Sequence, residues 1–180
     1  FCVRCRNMEV QKFFNKKIEL EYFFIVGKVK IDSKYFIDKI NVGIEEKDNM
    51  SHITNVKGSM TRWDFFNNDE NFLNVLSKFI NYVDDNLDLM KYRLKDSWGL
   101  KLQKFENTSF HNHMENPWSG VLYLNSSNQE LIFPQIKQEV KPDEGVFCLF
   151  SGLLDHGCKK NMHNTSKYGI AFNMKESKPY

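Results

Sequence analysis

The chain has 180 residues, 41% hydrophobic and 14% aromatic, which is enough apolar material for one well-buried domain and too much for a disordered chain. Its 25 basic and 23 acidic residues leave a formal charge of +2, which gives no reason to expect a nucleic acid or an anionic membrane as partner. The apolar run over residues 22–29 is too short to cross a bilayer. With no charged-then-apolar signal pattern at the N-terminus, the expectation is a cytoplasmic protein.

No strong linker interrupts the sequence, so a single domain is predicted over residues 1–180, with helix and strand scaffold in 1–95 and a strand-rich core over 96–174. Residues 20–31, rich in aromatic and β-branched side chains, read as a strand. Asp32 or Ser33 can cap a short helix carrying Tyr35, Phe36 and Ile40. Residues 52–65 read as extended, with His52 as a surface or capping residue. Phe72, Val75, Leu76, Phe79, Ile80 and Val83 recur at spacings of three and four after Asn68 or Asp69. That stripe predicts a helix packed on a sheet.

Beyond residue 95 the pattern shifts to short strands: 98–105, 119–124, 130–133, 146–150 and 168–174, with a turn at 125–128. Strands of this length joined by tight turns predict an α+β fold, mostly β. The expected core is a double-stranded β-helix, or jelly roll, with helices packed on one outer face. Cys2 and Cys5 form a C-x-x-C pair without the second pair that a zinc site needs, and Cys148 lies inside an apolar strand as a small core residue.

The segment Phe110-His111-Asn112-His113-Met114-Glu115 and the distant His156 carry the chemistry. His111 and His113 are two apart, so on an extended strand both side chains take the same face. His156 follows the apolar strand at 146–150, after a Pro142-Asp143-Glu144-Gly145 turn. Two close ligands and one distant histidine hold a metal while leaving coordination positions open, as an iron oxygenase requires.

The order of these features is a strand ending in His-x-His, then Ser119-Gly120-Val121-Leu122-Tyr123-Leu124, a Pro-x-x-Gly turn, a strand, and His156. Lys167 then precedes Ile170-Ala171-Phe172-Asn173. Over about residues 96–174 this order resembles the iron(II)/2-oxoglutarate-dependent oxygenases, within the prolyl-hydroxylase-like, bacterial and phage-type members that keep His-x-His. The resemblance implies Fe(II) held by His111, His113 and His156. Most of the superfamily has a carboxylate where His113 stands. A register of His113, Glu115 and His156 restores one, and remains the alternative. The resemblance also implies 2-oxoglutarate as co-substrate, its far carboxylate met by Lys167 and the Tyr123 hydroxyl. Gly169 stands where the family often has Ser or Thr. Asn107, Gln103 and Asn173 are further candidates for the pocket wall.

The implied reaction is O2-dependent hydroxylation of an unactivated C–H bond, coupled to conversion of 2-oxoglutarate to succinate. Prolyl, other amino-acid or peptide substrates are the expectation by analogy, with small metabolites open. Loops at 106–110, 114–118 and 153–165 are expected to select among them. Two other readings stand beside it: a cupin-like three-histidine metalloenzyme without 2-oxoglutarate, and a non-catalytic β-barrel binding module.

Overall fold

The computed structural model describes residues 22–46, 54–83 and 91–177. Its strands are β1 (Phe24–Lys28), β2 (Val56–Lys57), β3 (Ser59–Met60), β4 (Tyr92–Leu102), β5 (Asn107–His111) and β6 (Trp118–Tyr123). They continue with β7 (Leu131–Phe133), β8 (Gln138–Val140), β9 (Val146–Ser151), β10 (His156–Cys158) and β11 (Lys167–Glu176). Among the described residues there are two α-helices, α1 (Ser33–Glu45) and α2 (Glu70–Val83), and a 3-10 turn at Pro134–Ile136. A six-stranded sheet runs β1-β9-β6-β11-β4-β3 and a five-stranded sheet runs β2-β5-β10-β7-β8. Every pairing is antiparallel. The mostly β, α+β jelly roll expected from the strand pattern is the fold observed.

Strand alternation sorts the side chains of the larger sheet. On β11, Lys167, Gly169, Ala171 and Asn173 share the face toward the smaller sheet. Their partners are Tyr123, Val121 and Ser119 on β6, and Leu102, Leu100, Trp98 and Asp96 on β4. The alternate residues Ile170, Phe172 and Met174 face outward, and pack with Leu122, Phe147 and Leu149 against the helices. There they meet Phe36 and Ile40 of α1 and Phe72, Leu76 and Phe79 of α2. Each such fully buried side chain contributes about 1.5–3 kcal/mol relative to exposure. The helices thus cover one outer face and leave the inner face free to line a cavity.

Both helices start where a side chain satisfies an orphan amide. Asp32 accepts from the Tyr35 amide, and Asp69 Oδ1 from the Phe72 amide at 2.8 Å. Asp69 Oδ2 also accepts from the Tyr35 hydroxyl at 2.8 Å and pairs with the Lys39 ammonium, tying α1 to the start of α2.

Several expected boundaries move. The first strand is confined to Phe24–Lys28, the residues that pair with β9. Among the described residues of 52–65, regular strand is limited to β2 and β3. Residues 61–66 then run along β4, through Thr61 N to Gly99 O, Ser97 N to Trp63 O and Phe66 N to Ser97 O. The strand expected at 98–105 begins at Tyr92 and stops at Leu102. Phe105, with φ of 71°, sits in a turn that an extended chain cannot continue. β8 and β10 were not anticipated as strands. Cys2, Cys5 and His52 lie outside the described residues, while Cys148 and Cys158 are buried free thiols. Among the described residues no helix is long and apolar enough to cross a membrane.

Candidate metal centre

β5 ends at His111 and β10 begins at His156, and the two residues are direct cross-strand partners. The next pairing is Cys158 with Thr108, so β5 carries one extra residue between them. That bulge changes the alternation and lets Thr108 and His111 line the same cavity. Gly157 makes it possible: a Cβ there would lie 2.9 Å from Thr108 O and 3.0 Å from the Phe110 backbone.

His113 stands two residues past the strand, and its backbone is clamped by the turn after β9. Its amide donates to Gly152 O at 2.7 Å, and its carbonyl accepts from the Asn116 amide at 2.7 Å. A Cβ on Gly152 would sit 1.9 Å from Asn116 O, so this approach admits only glycine. The result is one compact group. Ring centroids are 4.9 Å apart for His111–His113, 4.4 Å for His111–His156 and 5.1 Å for His113–His156. One ligand atom from each lies within 4.8 Å of the others.

The donor set suits a divalent transition metal. His111 Nδ1 faces Ser109 O at 2.8 Å, and His156 Nδ1 faces Leu154 O at 3.0 Å. A carbonyl only accepts, so each Nδ1 carries the proton and each Nε2 keeps its lone pair for a metal. Burial holds all three imidazoles below the ordinary histidine range, His113 to about 4 and His156 to about 3. Mutual repulsion adds to this, and the Lys95 charge acts on His113 as well. Three neutral imidazoles crowded together in a cavity are ligands in waiting. Glu115 is exposed and outside this group, as is the remaining described histidine, His163.

The same cavity continues inward past Val121 to Tyr123, Cys158 and Lys167. Lys167 is 2% exposed. Its Nζ donates to Gln129 O at 3.1 Å and lies 5.8 Å from the Tyr123 ring centre. Burial lowers the pKa of this ammonium, opposed by the Cys158 thiol and by the charge of Glu130. Burial likewise raises Tyr123 far above the ordinary phenol. An ammonium in such a place, without a carboxylate bonded to it among the described residues, suits an anionic ligand. The inward wall therefore fits a dicarboxylate with one end toward the histidines.

Of the other candidates, Asn173 is buried, accepts from the Ser119 hydroxyl at 2.7 Å and lines the outer groove beside the histidines. Gln103 is exposed and Asn107 lines neither space. Gly152, Gly157, Cys158 and Gln129 shape the site without having been singled out from the sequence. Glycines and a lone thiol carry no spacing signal of their own, and Gln129 acts through its backbone carbonyl.

No family model matches the sequence, and no curated protein is detectably similar to it. Solved structures are similar in fold. A viral collagen prolyl hydroxylase from Paramecium Bursaria Chlorella virus-1, in complex with 2-oxoglutarate, superposes with a TM-score of 0.62 at 15% identity, over 87% of this chain and 96% of that one. HygX from Streptomyces hygroscopicus, with nickel and 2-oxoglutarate bound, gives 0.65 at 12% identity over 86% and 83%. A Pseudomonas putida prolyl-4-hydroxylase gives 0.63 at 12% over 86% and 92%. The chain has the jelly-roll fold of the 2-oxoglutarate oxygenases. In this jelly roll the three histidines and the buried lysine line one continuous space between the sheets.

Proposed function

We propose that the protein is an Fe(II)- and 2-oxoglutarate-dependent oxygenase that hydroxylates an unactivated C–H bond. The observation that carries this reading is a single cavity with three neutral histidines at one end and a buried, carboxylate-free lysine at the other. Bound together, Fe(II) and 2-oxoglutarate supply the oxidising chemistry that no side chain possesses.

The chain's own residues then have three tasks. His111 and His156 would hold the iron through the Nε2 that each keeps free while Nδ1 faces a backbone carbonyl, and His113, its backbone clamped at Gly152, would add a third imidazole. Lys167, with Tyr123 beside it, receives the far carboxylate of the co-substrate. Its charge is compact and single, a point contact in place of an arginine fork. The apolar wall of Leu100, Leu102, Val121 and Leu131 keeps water from the space between. With three neutral ligands the site is more positive by one charge than a two-histidine, one-carboxylate site. That favours an anionic chelator.

A three-histidine centre alone would serve a cupin-like enzyme without 2-oxoglutarate equally well. Lys167 separates the two readings, because such an enzyme has no use for a buried ammonium there. The fold leaves the hydroxylated group open: two of the similar structures are named as prolyl hydroxylases, and one HygX structure carries hygromycin B.

The test is succinate release from 2-oxoglutarate, with Fe(II) titrated in parallel. Wild-type chain is expected to bind one iron and to turn over 2-oxoglutarate slowly even without substrate. His111→Ala, His113→Ala and His156→Ala should each weaken iron at least tenfold, while Glu115→Ala changes it less than about twofold. Full iron affinity in the three histidine variants would remove the reading.

A further inference from the structure

Outside the histidines a second space opens, lined by Trp63, Lys95, Asp96, Trp98, Asn112 and Asn173, with His111 and His113 as its floor. Its shape depends on an irregularity in β4. Asn173 pairs with Asp96, but Met174 pairs with Leu94, so Lys95 is an extra residue opposite no partner. On a regular strand Lys95 and Asp96 would point to opposite faces. The bulge turns both into the groove, where Lys95 Nζ and Asp96 Oδ2 stand 3.6 Å apart.

This bulge is held in place. Asn67 Nδ2 donates to the freed Lys95 carbonyl at 3.0 Å, and Asn67 Oδ1 accepts from the Ser97 hydroxyl at 2.6 Å. Ser97 is fixed in turn by Trp63 O and the Phe66 amide. A separation of 3.6 Å is long for a charged hydrogen bond, so ammonium and carboxylate both keep bonding capacity. Both are about one-third exposed, at 32% and 28%. The Trp98 indole N–H, at the wall between groove and cavity, is buried with no hydrogen-bond partner among the described residues.

We propose that Lys95 and Asp96 read the substrate, and that the substrate is a small zwitterion, a free amino acid, whose carboxylate meets Lys95 and whose ammonium meets Asp96. This rests on the oxygenase reading above for what happens next to the bound molecule. Adjacent charges of both signs select against the other substrate classes. A peptide backbone offers neither charge, a polyanion or a polycation satisfies one of the two groups while the other repels it, and a neutral polyol leaves both charges uncompensated. The groove holds about 310 Å³, the small end of the range for ligand sites, which also favours a single small molecule.

The test uses the full chain loaded with Ni(II) and 2-oxoglutarate, titrated calorimetrically with each proteinogenic amino acid, its N-acetyl form and its amide, and with glucose. At least one free amino acid should bind, with its N-acetyl and amide forms at least tenfold weaker. Lys95→Met and Asp96→Asn should each weaken that amino acid at least tenfold, while melting as wild type and still taking up one Ni(II) per chain. The inference is overturned if no free amino acid binds, if blocked forms or glucose bind as well, or if both variants bind normally. Binding of Ni(II) and 2-oxoglutarate without any amino acid sinks this inference alone. Amino-acid binding by a chain that takes neither metal nor 2-oxoglutarate sinks the oxygenase reading alone.

Discussion

His113 is the histidine with no strand beneath it. The two-residue spacing from His111 was readable because extended backbone puts such residues on one face, yet β5 ends at His111. What keeps His113 on that face is the backbone clamp at Gly152, which no spacing in the sequence announces. Gly152→Ala should therefore cost metal affinity tenfold or more. The clash is with the Asn116 carbonyl and cannot be relieved by a side-chain rotation. A metal titration beside a circular-dichroism check of folding reads this, and wild-type affinity in a folded variant would show that the clamp is dispensable. Lys167 was legible through its place before the last apolar strand, but its burial was not. A buried ammonium without an ion partner costs stability until an anion arrives. Lys167→Met should thus melt no lower than wild type without ligand. It should also weaken 2-oxoglutarate about 10- to 100-fold, the worth of a lost charged hydrogen bond at about 1.5–3 kcal/mol. A variant that melts lower yet binds 2-oxoglutarate normally would reverse both halves of the argument.

At the scale of elements, legibility followed periodicity. The stripe of α2 and the apolar strands β6, β9 and β11 were visible because their alternation is regular and their burial deep. β4 was half missed, since the charged residues Arg93, Lys95 and Asp96 and the bulge at Lys95 break the period of two. β10 was missed because three residues carry too little pattern to read. Capping was legible at both helices, and at α2 the cap does more than the sequence suggests. Burial works to raise the Asp69 pKa, but the Lys39 ammonium, the Phe72 amide and the Tyr35 hydroxyl outweigh it and hold the carboxyl below its ordinary value. A lowered carboxyl stabilises the fold at pH values above its unfolded pKa of about 3.9. That stabilisation disappears as pH falls through the lower folded value. Asp69→Ala should cost about 1–3 kcal/mol in urea unfolding at neutral pH, combining a lost cap with a lost charged contact. The difference from wild type should shrink as pH drops below about 4. A constant difference down to pH 2 would mean that the carboxylate charge contributes nothing.

Across the whole molecule, strands from before residue 95 join both sheets: β1 and β3 edge the larger, and β2 edges the smaller. The N-terminal scaffold therefore builds the same barrel as the strand-rich half. The three histidines join three separate pieces of that barrel: the end of β5, the loop after it, and the start of β10 beneath the turn from β9. An ion bound there ties these pieces together only in the folded state, because unfolding separates His111 and His156 along the chain. Free ligand at 100 times its Kd then adds about 2.7 kcal/mol, which for a domain of this size corresponds to about 5–11 °C in Tm. Adding Fe(II) under anaerobic conditions, or Ni(II) in air, should raise the melting temperature by that order, in a concentration-dependent way. A chelator should reverse the shift. His156→Ala should abolish it, and His163→Ala, outside the group, should leave it intact. If both histidine variants respond to metal equally, the stabilising ion sits elsewhere on the surface, and the space between the sheets is not the metal centre.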